Sequence, residues 1–277
     1  MVLSIADTVT LRGGVEMPRF GLGTYKSAEG GDVEGAVRVA LEAGYRLIDT
    51  ASLYANEEGI GLAVSDSGVP REQLFITSKV WNTEQGYEQT LAAAHHSLER
   101  LGTDYLDLYL VHWPIPRLME ATWRAMEELL ATGRTRAIGV CNHLEHHLEQ
   151  LDQIAEEPPS LNQFEFHPRL QQPELVSACS QRGIVVQAWA PLMRGGVFDI
   201  AEIAQVAEAH GKSAAQVTLR WILQRGITTI PKSVHAERVR SNAAIFDFEL
   251  SAAEMAVMDA LDAAHRIGKH PDSFAAG

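Results

Sequence analysis

Six glycines punctuate this chain and constrain its fold more than any other feature. At each one a helix-like stretch stops, two or three polar residues follow, and an apolar run begins: EAGYRLID, SGVPREQLFITSK, RLGTDYLDLYLV, ATGRTRAIGV, QRGIVVQAW and QRGITTIP. Glycine takes the left-handed conformation past a helix end without a side-chain penalty. Gly44, Gly68, Gly102, Gly133, Gly183 and Gly226 are therefore expected to be helix stops that each launch a strand. FGLG (20 to 23) and LNQFEF (161 to 166), the latter introduced by Pro158 and Pro159, bring the strands to eight. Strand alternating with helix implies a parallel sheet, and eight such units in roughly 250 residues match a closed (β/α)8 barrel of the α/β class, a TIM barrel. An open doubly wound sheet is the alternative.

Helix periodicity agrees. GDVEGAVRVALEAG offers Asp32 as a cap with Val33, Val37, Ala40 and Leu41 on one face, and TLAAAHHSLERLG lines up Leu91, Ala94, Leu98 and Leu101. Two segments are expected as additions to the barrel. VTLRGGVEMP forms an N-terminal β-hairpin, and LSAAEMAVMDALDAA forms an extra C-terminal helix begun by Ser251 with Glu254 completing a capping box. No linker divides the chain, so residues 1–277 are taken as a single barrel domain.

The net charge of -13 argues against nucleic acid or an anionic membrane as partner, so an anionic ligand needs a local basic patch. Two cysteines cannot build a disulfide framework, and neither a leader peptide nor a membrane-length apolar run is visible. The expectation is a cytoplasmic monomer acting on a small molecule.

Barrel geometry then selects the chemistry. Functional side chains of such barrels sit at the C-terminal ends of strands, where Asp49, Lys79, His112, Asn142, Gln163, Trp189 and Lys232 all fall. Neighbouring strands stand about 4.8 Å apart, so Lys79 should lie between Asp49 and His112, with Tyr54 five residues after Asp49. A phenol with a pKa of about 10 gives up its proton more readily beside a cation. Lys79 would be that cation, Asp49 its counter-charge, and His112 a hydrogen-bond partner for a substrate oxygen. The set is built to protonate a carbonyl oxygen while a reduced nicotinamide supplies hydride to the carbon. GLGTYK is a poor match to the Rossmann fingerprint. The cofactor is instead expected at IPKSVHAERVRSN, where Lys232, Ser233, Arg238 and Arg240 follow the last strand at a helix N-terminus and favour the extra phosphate of NADP.

Taken together, GLGTYK, GYRLIDTASLYANEEGIG, LFITSKVWN, LDLYLVHWP, IGVCNH and IPKS make the chain resemble the aldo-keto reductases, in particular the prokaryotic branch typified by 2,5-diketo-D-gluconate reductase. The resemblance implies an NADPH-dependent carbonyl reductase with Asp49, Tyr54, Lys79 and His112 as catalytic tetrad and Tyr54 as proton donor. It implies Asn142 and Gln163 at the nicotinamide carboxamide beside Cys141, Trp189 stacked on the ring, and Leu192 by the pyrophosphate. Lys232, Ser233 and Arg238 would hold the adenosine phosphate and Asn242 would contact adenine, while Trp81 and Trp113 would wall the substrate pocket. Cys141 and Ser241 stand where many relatives have serine and glutamate. A shortened IPRLMEAT segment and a short tail after Asp262 suggest an open pocket for small aldehydes, ketones and dicarbonyls.

Two other readings use the same residues. A non-catalytic NADPH-binding sensor would be favoured by loss of a tetrad member, and none is lost. A Schiff-base aldolase needs Lys79 neutral, against which Asp49 argues. His143 and His147 have the i, i+4 spacing of a helical metal pair, but with no third ligand evident no metal is expected. Cys141 could be a redox-sensitive thiol, though a small buried side chain is the plainer reading.

Overall fold

The structure is a computed structural model that describes residues 4–274. A hairpin comes first, β1 (Thr8–Thr10) antiparallel to β2 (Glu16–Pro18) with Val9 opposite Met17. Eight parallel strands follow in chain order: β3 (Gly21–Gly23), β4 (Leu47–Asp49), β5 (Phe75–Val80), β6 (Leu108–Val111), β7 (Ile138–Cys141), β8 (Leu161–Glu165), β9 (Val185–Trp189) and β10 (Thr228–Thr229). The seam between β10 and β3 is closed by parallel bridges, Phe20 to Thr229 and Gly23 to Lys232, with Thr229 N donating to Arg19 O at 3.0 Å. The expected barrel is therefore the one observed, and the open sheet is not.

Helices α1 (Gly31–Glu42), α2 (Glu57–Asp66), α3 (Tyr87–Leu101), α4 (Met119–Ala131), α5 (Glu145–Asp152), α6 (Pro173–Gln181), α7 (Ala201–His210), α8 (Ala214–Gln224) and α9 (Ala236–Ala243) lie between and after the strands. Then come α10 (Ala252–Asp259) and the short α11 (Pro271–Phe274). All six punctuating glycines have positive φ; Gly102, at φ 63°, caps α3 by donating its N–H to Glu99 O. Ser251 and Glu254 form the capping box of α10, a device worth about 1 kcal/mol.

Two details differ from the periodicity reading. Asp32 is not the cap of α1: the helix begins at Gly31 after Gly30, whose φ of 80° and ψ of -141° suit only glycine, so Asp32 sits in the first turn. The buried stripe of α3 runs through Ala93, Ala94, Leu98 and Leu101, leaving Leu91 half-buried at its edge.

β4 shows in three residues how the sequence divides the core. Leu47 packs inside the barrel, Ile48 outside against the helices, and Asp49 inside again one layer higher. The inner cluster joins Leu47, Phe75, Leu108 and Leu161, each the first residue of its strand, to Leu11, Val15 and Met17 of the hairpin. The hairpin thus plugs the barrel at its N-terminal end, and each fully buried apolar side chain there contributes about 1.5–3 kcal/mol. With that end filled, the opposite end is left for ligands. No helix among the described residues is long and apolar enough to cross a membrane.

Candidate active site

Asp49 and Lys79 reach the barrel interior from adjacent strands, and both side chains are buried. Lys79 Nζ donates to Asp49 Oδ1 at 2.6 Å and to Thr50 O at 2.8 Å, and its third contact is Tyr54 Oη at 3.4 Å. All three donors of the ammonium are accounted for. Tyr54 ends a 3-10 turn, Ser52–Tyr54, that Ala55 terminates in the left-handed region. Ser52 Oγ donates to Glu84 Oε2 and lies 3.2 Å from Lys79 O, while Asn56 accepts from Thr50 Oγ1 and donates to Thr24 O and Ser27 O. The turn that carries the phenol is pinned on both sides.

The electrostatics follow from burial set against these contacts. Burial opposes charge on Lys79, but Asp49 beside it outweighs that penalty and holds the amine above its ordinary pKa. For Tyr54 the balance falls the other way: burial pushes the phenol up, and Lys79 pulls it back only in part. The expected lowering is therefore present as an opposing pull and not as the net direction. Tyr54 stands protonated at neutral pH, the form a proton donor requires. His112 is held neutral, its pKa driven well down by burial and by the charge of Lys79. Its ring meets those of Tyr54 at 5.6 Å and Trp81 at 5.0 Å edge-on, and its Nδ1 has no hydrogen-bond partner among the described residues.

These groups open onto a cavity of about 1080 Å³. Asp49, Tyr54, His112, Trp81, Trp113, Asn142, Gln163 and Trp189 line one part of it, and Leu192, Lys232, Ser233, Arg238 and Asn242 line the rest. Lys79 lies beneath the lining. Cys141 is not among the lining residues either: its Sγ is buried in the inner cluster, 3.9 Å from Gln163 Oε1, and burial pushes its thiol above the ordinary range. Gln163 does more than expected, since its Nε2 donates to Asp49 Oδ2 at 2.8 Å and to Gln187 Oε1 at 2.7 Å, holding the tetrad carboxylate from across the barrel. Asn142, at φ 59°, donates from Nδ2 to His112 O and accepts at Oδ1 from Trp189 Nε1, both at 2.9 Å. One donor and one lone pair of that amide stay free for a ligand.

The donor set fits an anionic dinucleotide. Lys26, Arg194, Lys232, Arg238 and Lys269 all line the cavity, and Asp49, already paired, is the only acid among the described residues that does. In a chain of net charge -13 that is a strong local inversion. Ser233 is buried, with its Oγ accepting from His235 N at 3.1 Å, just ahead of α9, whose N-cap His235 makes no side-chain cap hydrogen bond. Lys232 is lowered by burial, with Asp32 opposing. Arg240 does not join this group; it faces away to Glu42 Oε2 at 3.2 Å.

Sequence reasoning singled out the tail after Asp262 but not its contacts. Gly268, Lys269 and Phe274 line the cavity, and the Phe274 ring lies 4.5 Å from that of Trp113 and 6.0 Å from that of Trp81. The short tail thus packs on both tryptophans at the edge of the cavity, and no periodicity within residues 262–274 signals this. The histidine cluster also differs from expectation. His143 precedes α5 and binds Cys141 O through Nδ1, whereas His146 and His147 turn their Nε2 atoms to Asp272 Oδ1 at 3.0 and 3.4 Å. Leu144 N donates to His147 Nδ1, which places the remaining ring proton on Nε2, facing the carboxylate. That nitrogen is a hydrogen-bond donor and offers no lone pair to a cation.

Comparisons with known proteins agree with this geometry. The Aldo/keto reductase family profile matches residues 19–263. Glyoxal reductase of Bacillus subtilis (strain 168) is 55% identical over 274 residues, covering 99% of each chain. The crystal structure of an aldo-keto reductase from a Medee basin deep-sea metagenome library superposes with a TM-score of 0.94 at 42% identity, covering 96% of this chain and 98% of that one. A Bombyx mori aldo-keto reductase in complex with NADP superposes at 0.90 with 33% identity, covering 98% and 97%. With a family match across nearly the whole barrel and a relative more than half identical from end to end, the chain belongs to the aldo/keto reductase family of oxidoreductases.

Proposed function

We propose that this chain reduces small aldehydes, ketones and dicarbonyls to alcohols with NADPH, as a cytoplasmic monomer, and that Tyr54 donates the proton. The observation that carries the reading is the contact of a protonated phenol with a buried, charge-compensated ammonium at the mouth of a cation-lined cavity. Bound NADPH supplies hydride to the carbonyl carbon. The other half of the reaction belongs to the protein. The carbonyl oxygen sits between Tyr54 Oη and the neutral His112 ring, which fixes its direction by a hydrogen bond. As negative charge develops on that oxygen, Tyr54 passes its proton over, and Lys79 stabilises the phenolate left behind. Asp49 keeps Lys79 charged and in place, with Gln163 holding Asp49.

Trp81, Trp113 and Phe274 form an aromatic wall that suits a compact substrate and keeps water from the reacting oxygen. Along the rest of the cavity Asn142 and Gln163 would hold the carboxamide of the cofactor, Trp189 its nicotinamide ring and Leu192 its pyrophosphate. Lys232, Ser233 and Arg238, which line the same cavity, would take the extra phosphate, and Asn242 would take the adenine. The glyoxal reductase of Bacillus supports dicarbonyls as the first substrates to try. The test is NADPH consumption on adding glyoxal or methylglyoxal, with the alcohol identified as product. Tight NADPH binding without turnover would replace this reading with a sensor, and cofactor-independent carbon–carbon cleavage would replace it with an aldolase.

A further inference from the structure

Glu165 ends β8 with its carboxylate fully buried, yet it faces a tail more than a hundred residues away in sequence. Oε1 accepts from Ile267 N at 2.7 Å and Oε2 from Gly268 N at 2.9 Å. His167 Nε2 lies 3.0 Å from Oε1, and Arg266 Nη1 lies 3.6 Å from Oε2. Two consecutive backbone N–H groups on one buried carboxylate form a specific clasp, since a lone buried charge of that kind would be costly. Burial opposes the charge, but His167 and the two amides hold the carboxyl below its ordinary pKa.

The clasp sets the tail backbone against one side chain in particular. A Cβ built on Gly268 would stand 2.4 Å from Trp189 Cη2, 3.3 Å from Cζ3 and 2.7 Å from Glu165 Oε2. No positive φ requires glycine at 268; the close approach alone does. Trp189 is paired with Glu165 in the β8–β9 register and is tied at its other edge to Asn142 Oδ1. The indole is thus held between a hydrogen bond on its pyrrole side and the bare Gly268 backbone against its benzo side.

We propose that Glu165 and Gly268 are positioning residues that set the plane of the Trp189 indole for the nicotinamide ring. Glu165 fixes the height of the tail, and Gly268 lets the tail rest on the ring without displacing it. This rests on the proposed place of the nicotinamide at Trp189.

The experiment is a double-mutant cycle of Gly268→Ala and Trp189→Phe. Phenylalanine removes the benzo atoms that a Cβ at 268 would strike. Gly268→Ala alone should weaken NADPH binding about tenfold, the equivalent of about 1.4 kcal/mol, and should change the near-ultraviolet circular dichroism of the ligand-free protein. In the Trp189→Phe background both effects of Gly268→Ala should shrink to the remainder set by the Cβ contact with Glu165 Oε2. Glu165→Gln, which keeps an acceptor for one amide, should reproduce part of the Gly268→Ala spectral change while the protein still unfolds cooperatively. Equal effects of Gly268→Ala in both backgrounds, or none in either, overturn the proposal. The spectral arm needs no cofactor, so a wild-type protein that fails to bind NADPH would refute the cofactor reading while the spectra still show whether Gly268 and Glu165 set the indole.

Discussion

Lys79 Nζ lies 2.6 Å from Asp49 Oδ1, and both side chains are buried. A buried pair of this kind adds little stability over an apolar pair of the same size, but removing one partner leaves an uncompensated charge, at a cost of about 3–5 kcal/mol. Lys79→Met should therefore lose both stability, read by chemical denaturation, and turnover. Adding Asp49→Leu should restore most of the stability and none of the turnover. If the double variant regains activity, the ammonium has no role beyond folding.

Cofactor choice should follow the cations after β10. Charge-assisted hydrogen bonds are worth about 1.5–3 kcal/mol each. Lys232→Gly with Arg238→His should raise the Kd of NADPH by at least about tenfold and leave NADH nearly unchanged, as measured by fluorescence titration. Equal losses for the two cofactors would place the extra phosphate elsewhere.

The pH profile has a definite sign. His112 is held neutral, with its pKa far below the ordinary value of about 6.5, and Tyr54 is held protonated, with its pKa above the ordinary value of about 10. At saturating NADPH, kcat/KM for carbonyl reduction should stay level through the ordinary histidine range. It should fall only on the far alkaline side, as Tyr54 loses its proton. A break near neutrality that disappears in His112→Gln would show that the imidazole titrates in the working range.

Stability and chemistry separate at the floor of the barrel. Asp107, just ahead of β6, is buried, accepts from Ile76 N and Arg136 Nη1, and forms an ion pair with Arg71. Asp107→Ala strips the counter-charge from both arginines and frees the Ile76 amide. It should cost about 3 kcal/mol in denaturant unfolding while kcat at low temperature stays near wild type. A large fall in kcat with stability unchanged would contradict this division.

The barrel was legible because its signals are local. A glycine past a helix end needs only its own backbone to be read, and strand alternation carried Asp49, Lys79 and His112 to one mouth once three strands were placed side by side. What could not be read depends on contacts distant in sequence or on burial. Gln163 on Asp49, Glu165 on the 267 and 268 amides, and Phe274 on Trp113 each join segments that no spacing rule links. The net direction of the Tyr54 shift required knowing how deep the phenol sits, because the sequence shows the neighbouring cation but not the desolvation that outweighs it. Asp32 matched the residue type of a cap, yet the helix already begins one residue before it, at Gly31 after the positive φ of Gly30.

The central claim, proton donation by Tyr54, is tested most directly by Tyr54→Phe, assayed in parallel for NADPH affinity and for reduction of methylglyoxal. The phenyl ring keeps the packing of Tyr54 against Tyr25 and His112 and removes only the hydroxyl that Lys79 contacts. The expected result is near-normal NADPH binding with turnover reduced by about a hundredfold or more, the scale of general acid catalysis. Turnover that persists at the wild-type level, or a collapse of cofactor affinity, would contradict it.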